Sequence, residues 1–133
     1  MIVVDSSVWV AWMRDMRTPS VAKLANLMDG ENDQILLCDL VLLELLQGTT
    51  SEKHAAEVEA HLRQFPIVST LNDVIAVAAA RHYRRLRSLG ITIRKSADLI
   101  IGTFCIANGH ALLHDDRDFL PMATHLGLEL VAT

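Results

Sequence analysis

Five acidic residues fall where a chain of this kind could assemble a reactive pocket: Asp5, Glu44, Asp98, Asp116 and Asp118. Asp5 directly follows the apolar run Ile2–Val4. Asp116 and Asp118 follow Ala111–Leu113 in the same way. In open α/β sheets, ligands bind beyond the carboxyl ends of strands, so these placements carry more than the residue types alone. Asp98 stands in the first turn of a helical stretch. It shares a face with Ile101, Gly102 and Cys105, although the helix dipole alone would also favour an acid there. Glu44 is the one charge in LVLLELLQ. It reads either as the wet side of a short helix, shared with Gln47, or as a buried acid that needs a partner. Each acid has a bland alternative as a turn or loop residue, and Asp115 beside Asp116 strengthens that alternative.

Several carboxylates in one pocket repel each other unless a cation neutralises them. With neither Cys nor His among the candidate ligands, the donor set suits Mg²⁺, with Mn²⁺ as substitute, better than zinc. Such an ion can activate water and orient a phosphate. The cations cluster too: Arg81, Arg84, Arg85, Arg87, Arg94 and Lys95 are six of the twelve Lys and Arg residues. A net charge of −4 therefore does not exclude a nucleic-acid substrate, because one basic face can sit beside one acidic pocket. Arg84, Arg85, Arg87, Arg94 and Lys95 are the candidate phosphate contacts, Arg94 foremost because it lies four residues before Asp98. Arg81–Arg87 also reads as a solvated helix face.

The elements that must hold these residues alternate strand and helix, the pattern of a mostly parallel sheet. Ile2–Val4 begins the sheet, and Ser6 or Ser7 can cap the next helix. A second helix starts at Pro19. Ile35–Cys38 is a strand, Asp39 caps a helix ending at Gln47, and Thr49 with Glu52 suits a capping box. Ile67–Val68, Ala111–Leu113 and Leu128–Val131 complete the expected strands. Helices run from Asn72 to Leu89 and from Ser96 to about Ala107, with a short one near Met122–Leu126. At 133 residues and 51% apolar, the chain is long enough for one domain, 1–133, with a core that needs no disulfide. Cys38 and Cys105 lie in apolar surroundings and read as reduced core residues. No window is apolar enough to span a membrane, and MIVVDSSVWV carries no basic leader, so the expectation is a cytoplasmic protein. The six histidines show no ligand spacing and read as surface residues. Trp9, Trp12 and Met13 are either core or partner-facing.

Taken together, VVDSSVW, LVLLELLQG, RKSADLIIGTFCIANG and LLHDDRDF resemble, in order, the motifs of VapC-type toxins in the PIN-domain ribonuclease family. The resemblance implies a three-layer α/β/α fold around a central, mostly parallel sheet of four or five strands. It implies a magnesium-dependent endoribonuclease, the toxin of a VapBC toxin–antitoxin pair, acting on RNA, bound by a VapB-type antitoxin and forming a homodimer. Carried over by motif, Asp5, Glu44, Asp98 and Asp116 are the catalytic acids. Asp5, Asp98 and Asp116 hold metal, and Asp118 binds it through water or orients a neighbour. Ser6 stands where the family often has Thr and keeps the hydroxyl, so the resemblance implies a substrate-binding hydrogen bond to the pocket. His114 stands where Thr is common, which puts that second supporting contact in doubt. A dehalogenase-type phosphatase would want a second Asp two residues after Asp5. A receiver domain would want paired acids before the first helix. Neither pattern is present. A PIN-like module without catalysis is the remaining alternative, and such modules usually lack some of the acids.

Overall fold

A computed structural model describes residues 1–30 and 34–133. Four strands, β1 (Ile2–Val4), β2 (Ile35–Cys38), β3 (Ile67–Val68) and β4 (Ala111–Leu113), pair in the order β3-β2-β1-β4, every pair parallel. All four residues of β2 are buried, as expected of a strand covered on both faces. The helices are α1 (Ser6–Met13), α2 (Pro19–Gly30), α3 (Asp39–Gln47), α4 (Glu52–Leu62), α5 (Asp73–Ser88), α6 (Ser96–Asn108) and α7 (Leu120–Leu126). They flank the sheet and give the α/β/α arrangement that the motifs imply. One core runs through Val3, Trp9, Leu24, Ile35, Leu37, Leu86, Ile101, Leu112, Phe119 and Met122.

The expected fifth strand is reduced to a single bridge. Leu130 pairs with Leu112, with hydrogen bonds only from Leu112 N to Glu129 O and from Val131 N to Leu112 O. The segment follows the left-handed Gly127 (φ +79°). Several caps also move. Asp5, rather than Ser6 or Ser7, caps α1. Ser51, rather than Thr49, caps α4 by accepting from His54 N. Asp39 lies inside α3, where its carboxylate takes the amide and hydroxyl of the buried Thr70 after β3. Lys95, not Ser96, occupies the cap position of α6, without a side-chain cap bond. At α1 and α4 the cap is the residue whose side-chain oxygen reaches a free amide, whereas α6 starts without one.

Two features of the fold position the site. The chain steps from β1 to β2 to β3 in one direction and then crosses to β4 on the far side of β1. The crevice between β1 and β4 is therefore the point where strand order reverses, where α/β sheets bind ligands. Asp5 N donates to Leu113 O at 2.9 Å, which fixes the ends of β1 and β4 side by side. In addition, α6 packs closely at Gly102: a Cβ there would meet Met122 Cε at 2.4 Å and Sδ at 2.6 Å.

Candidate metal centre

Asp5 leaves the crevice end of β1 and is 2% exposed. Its Oδ2 accepts from Ser7 N at 3.1 Å and from Ser7 Oγ at 2.6 Å, whereas Oδ1 is buried with no hydrogen-bond partner. Asp98, in the first turn of α6, is 3% exposed, and its Oδ2 is likewise buried and unpartnered. The exposed-dipole reading of Asp98 therefore does not describe it. On α3, the wet side belongs to Leu43 (51% exposed) and the exposed Gln47, while Glu44 is half-buried with Oε1 unpartnered. Glu44, three residues before Gln47, keeps a partly exposed place at the edge of that wet side, with Oε1 turned inward and buried.

Asp116 caps the 3-10 turn Arg117–Phe119: its Oδ1 accepts from Asp118 N at 3.0 Å. Oxygens of Asp98, Asp116 and Asp118 lie within 4.8 Å of one another. Lys95 Nζ is 3.3 Å from Asp116 Oδ2. His114 accepts the Asp116 amide on Nδ1 at 3.0 Å and packs on Phe119 at 5.2 Å between ring centroids. The imidazole thus supplies a supporting contact where a threonine was expected.

The electrostatics show the same crowding. Burial pushes the Asp5 carboxyl above its ordinary range against its Ser7 hydrogen bonds, and Asp116 adds to the rise. Burial, the facing Asp116 carboxyl and the charge of Asp5 push Asp98 up to about 8. Glu44 is raised by burial and by Asp5, with Lys95 and the nearby Ser6 hydroxyl opposing. Asp116 feels burial upward, but the Asp118 amide, the Asp98 carboxyl and Lys95 outweigh it and hold it below the usual range. Lys95 is raised, chiefly by its hydrogen bond to Asp116.

Three buried carboxylate oxygens without a partner, from three different elements, are costly in the charged form unless a proton or a cation meets them. The donor set, all oxygen, fits a hard divalent ion such as Mg²⁺. Asp98, Asp116 and Asp118 offer the oxygens that lie close together, while Asp5 and Glu44 stand outside that group and act on it through their charge.

Other sequence expectations fall elsewhere. Ser6 lies beside Glu44. Arg85 and Arg94 are exposed, and among the described residues neither forms an ion pair. Lys95 is the cation in contact with the acids. Trp9 is core, while Trp12 and Met13 are half-buried. His61 is not a free surface histidine: it stacks on Trp12 at 5.0 Å and 13°, with Nε2 buried and unpartnered. Both cysteines are free and buried, and burial raises Cys38 and lifts Cys105 to about 12.

Sequence reasoning missed two supports. Ser7 Oγ, besides donating to Asp5, accepts from Asp115 N at 3.0 Å. The two-residue offset from Asp5 is the spacing of an Asx turn and could have flagged it. Ser20, buried at the start of α2, donates to Asp115 Oδ2 at 2.5 Å. This ties the loop after β4 to α2. Nothing local in the sequence signals a contact between residues 95 apart.

Comparison with known proteins agrees with this architecture. The PIN domain family matches residues 2–124, and the chain belongs to that family. Relatives include the VapC ribonuclease Mb1587 of Mycobacterium bovis and the ribonuclease VapC11 of Mycobacterium tuberculosis. Each is 28% identical over 119 residues, covering 90% of this chain and 89% of the relative. Among solved structures, VapBC2 from Rickettsia felis bound to a promoter DNA fragment superposes with a TM-score of 0.76 at 18% identity, over 98% of both chains. VapBC-1 from Haemophilus influenzae gives 0.75 at 17% identity, over 98% of this chain and 97% of that one. At such identities these two establish the shared fold.

Proposed function

We propose that this protein is a metal-dependent endoribonuclease, the toxin of a VapBC-type toxin–antitoxin pair, with Mg²⁺ as its ion and Mn²⁺ as substitute. The observation that carries the chemistry is the close group of Asp98, Asp116 and Asp118 oxygens, with buried, unpartnered oxygens on Asp98, Asp5 and Glu44 and with Asp5 and Glu44 near enough to act on the group by charge. The VapC ribonuclease relatives support RNA as substrate, and the VapBC structures support a VapB-type antitoxin as protein partner. A homodimer is part of the same reading.

When bound, a divalent ion would lower the pKa of a coordinated water and neutralise charge on the scissile phosphate. The chain's own residues do the rest. Asp5, Asp98 and Asp116 would hold the ion. Ser7 keeps the Asp5 carboxylate in one orientation, and His114 and the Asp118 amide fix the loop that carries Asp116. Glu44, raised by burial and Asp5, is suited to hold or accept a proton at Oε1 near the attacked phosphate. Arg85 and Arg94, exposed on the basic segment, would contact RNA phosphates, which position the strand without reading its sequence.

The direct test is Asp5→Asn. Its circular dichroism and melting temperature should match or exceed those of the wild type, since a desolvated carboxyl is removed. RNA cleavage should fall by more than about a hundredfold, beyond what loss of a supporting contact to a metal ligand typically costs. Full cleavage by the folded variant would remove Asp5 from the site. Phosphate monoesters assayed in parallel should not be turned over.

A further inference from the structure

Lys95 stands immediately before α6, three residues before Asp98. Its ammonium lies against Asp116, and its charge acts on Asp98, Asp118 and Glu44 as well. Among the described residues, no other Lys or Arg forms an ion pair with any of these acids. The side chain is 65% exposed. It is therefore held by charge and not by packing, and an exposed pair of this kind is a weak tether.

A divalent ion would draw on the same Asp116 carboxylate that Lys95 now holds, and it would repel the ammonium beside it. The ammonium sits on a flexible four-carbon stem rooted at the N-terminus of a 13-residue helix, where the macrodipole favours an incoming anion. It cannot go far, so it stays within reach of a phosphate delivered to the crevice. We infer that Lys95 has two alternating roles: counter-ion to the acidic cluster while the site is metal-free, and contact for a non-bridging phosphate oxygen of RNA once metal has displaced it from Asp116. The inference rests on the metal-dependent nuclease reading above and adds a residue that exchanges partners.

The test compares wild type, Lys95→Met and Lys95→Arg in two measurements. The first is calorimetric titration with Mn²⁺ at fixed pH without RNA. Lys95→Met should bind the ion roughly three- to tenfold more tightly, because a competing cation is gone. The second is RNA cleavage with Mg²⁺ across a salt series. Lys95→Met should raise KM several-fold more than it lowers kcat and reduce the salt slope by about one, and Lys95→Arg should restore most of the KM. The two effects have opposite signs, which a general loss of fold cannot produce. Mn²⁺ affinity that is unchanged or weaker in Lys95→Met, or an unchanged KM and salt slope, overturns the inference. If the wild type itself neither binds Mn²⁺ nor cuts RNA, the nuclease reading falls, and the Lys95 inference with it. If the wild type does both and Lys95→Met behaves identically, only the role of Lys95 is lost.

Discussion

The Ser7 hydroxyl donates to Asp5 Oδ2 at 2.6 Å, and Ser7 Oγ in turn accepts from the backbone amide of Asp115 at 3.0 Å. One small side chain thus joins the acid after β1 to the loop that carries the acid after β4. Replacing Ser7 by Ala would free the Asp5 carboxylate to rotate and strand the Asp115 amide. Stability should drop by about 0.5–1.5 kcal/mol, the usual net contribution of a hydrogen bond that is not fully buried. Mn²⁺ affinity should weaken by about 10- to 100-fold, as for other contacts that orient a metal ligand. Thermal unfolding and calorimetry measure both, and an unaltered metal affinity would reduce Ser7 to a simple helix-cap neighbour.

Without metal, stability should decline as pH rises from about 4 to 8. Asp98 has its folded value raised to about 8 from an ordinary 3.8, so across that window the folded chain holds a proton that the unfolded chain has released. Asp5 and Glu44, also raised, act in the same direction. Asp116, lowered, contributes stability that disappears only on acidification below its ordinary range. Metal reverses the trend, because binding requires the deprotonated carboxylate and stabilises the folded state in proportion to its occupancy. Melting temperatures from pH 5 to 8.5 in EDTA and in millimolar Mg²⁺ should diverge with rising pH. Parallel curves would mean that no ion meets these carboxyls.

Gly102 should tolerate no branched side chain. The gap between α6 and the buried Met122 of α7 is smaller than one carbon, and Phe119 closes the same space at 3.8 Å. Gly102→Val should destabilise by about 1–3 kcal/mol through overpacking. Because Phe119 ends the turn that carries Asp116 and Asp118, the strain should also loosen metal binding. Denaturant unfolding with a Mn²⁺ titration would show both effects. A variant as stable as the wild type would mean that Met122 swings aside at no cost.

Native protein should be inert to Ellman's reagent and release two thiols on unfolding. Cys38 and Cys105 are buried and free, and burial suppresses the thiolate of each. Rapid labelling of either thiol in the folded state would contradict the full burial of both side chains.

Much of the site was legible from local pattern. Asp5, Asp116 and Asp118 were visible because each follows a short apolar strand, and Asp98 because helical spacing put it on an apolar face. The short helices and the left-handed glycines at 90, 109 and 127 follow from chemistry within a few residues. Which side of α3 would be wet was not legible. Leu43 and Gln47 took the solvent and turned Glu44 inward, a choice made by what packs beneath the helix.

The sequence by itself determined the order of the elements, the parallel α/β class and the acids available at strand ends, because hydrophobic period and turn chemistry act over one or two turns. Only the tertiary structure decided which carboxylate oxygens would be buried without a partner, that Ser20 would claim Asp115, and that Lys95 rather than Arg94 would face the cluster. Those outcomes depend on β4 lying beside β1 with α6 and the N-terminal end of α2 close by. That arrangement is fixed by the burial of a shared core, and no short stretch of the chain encodes it.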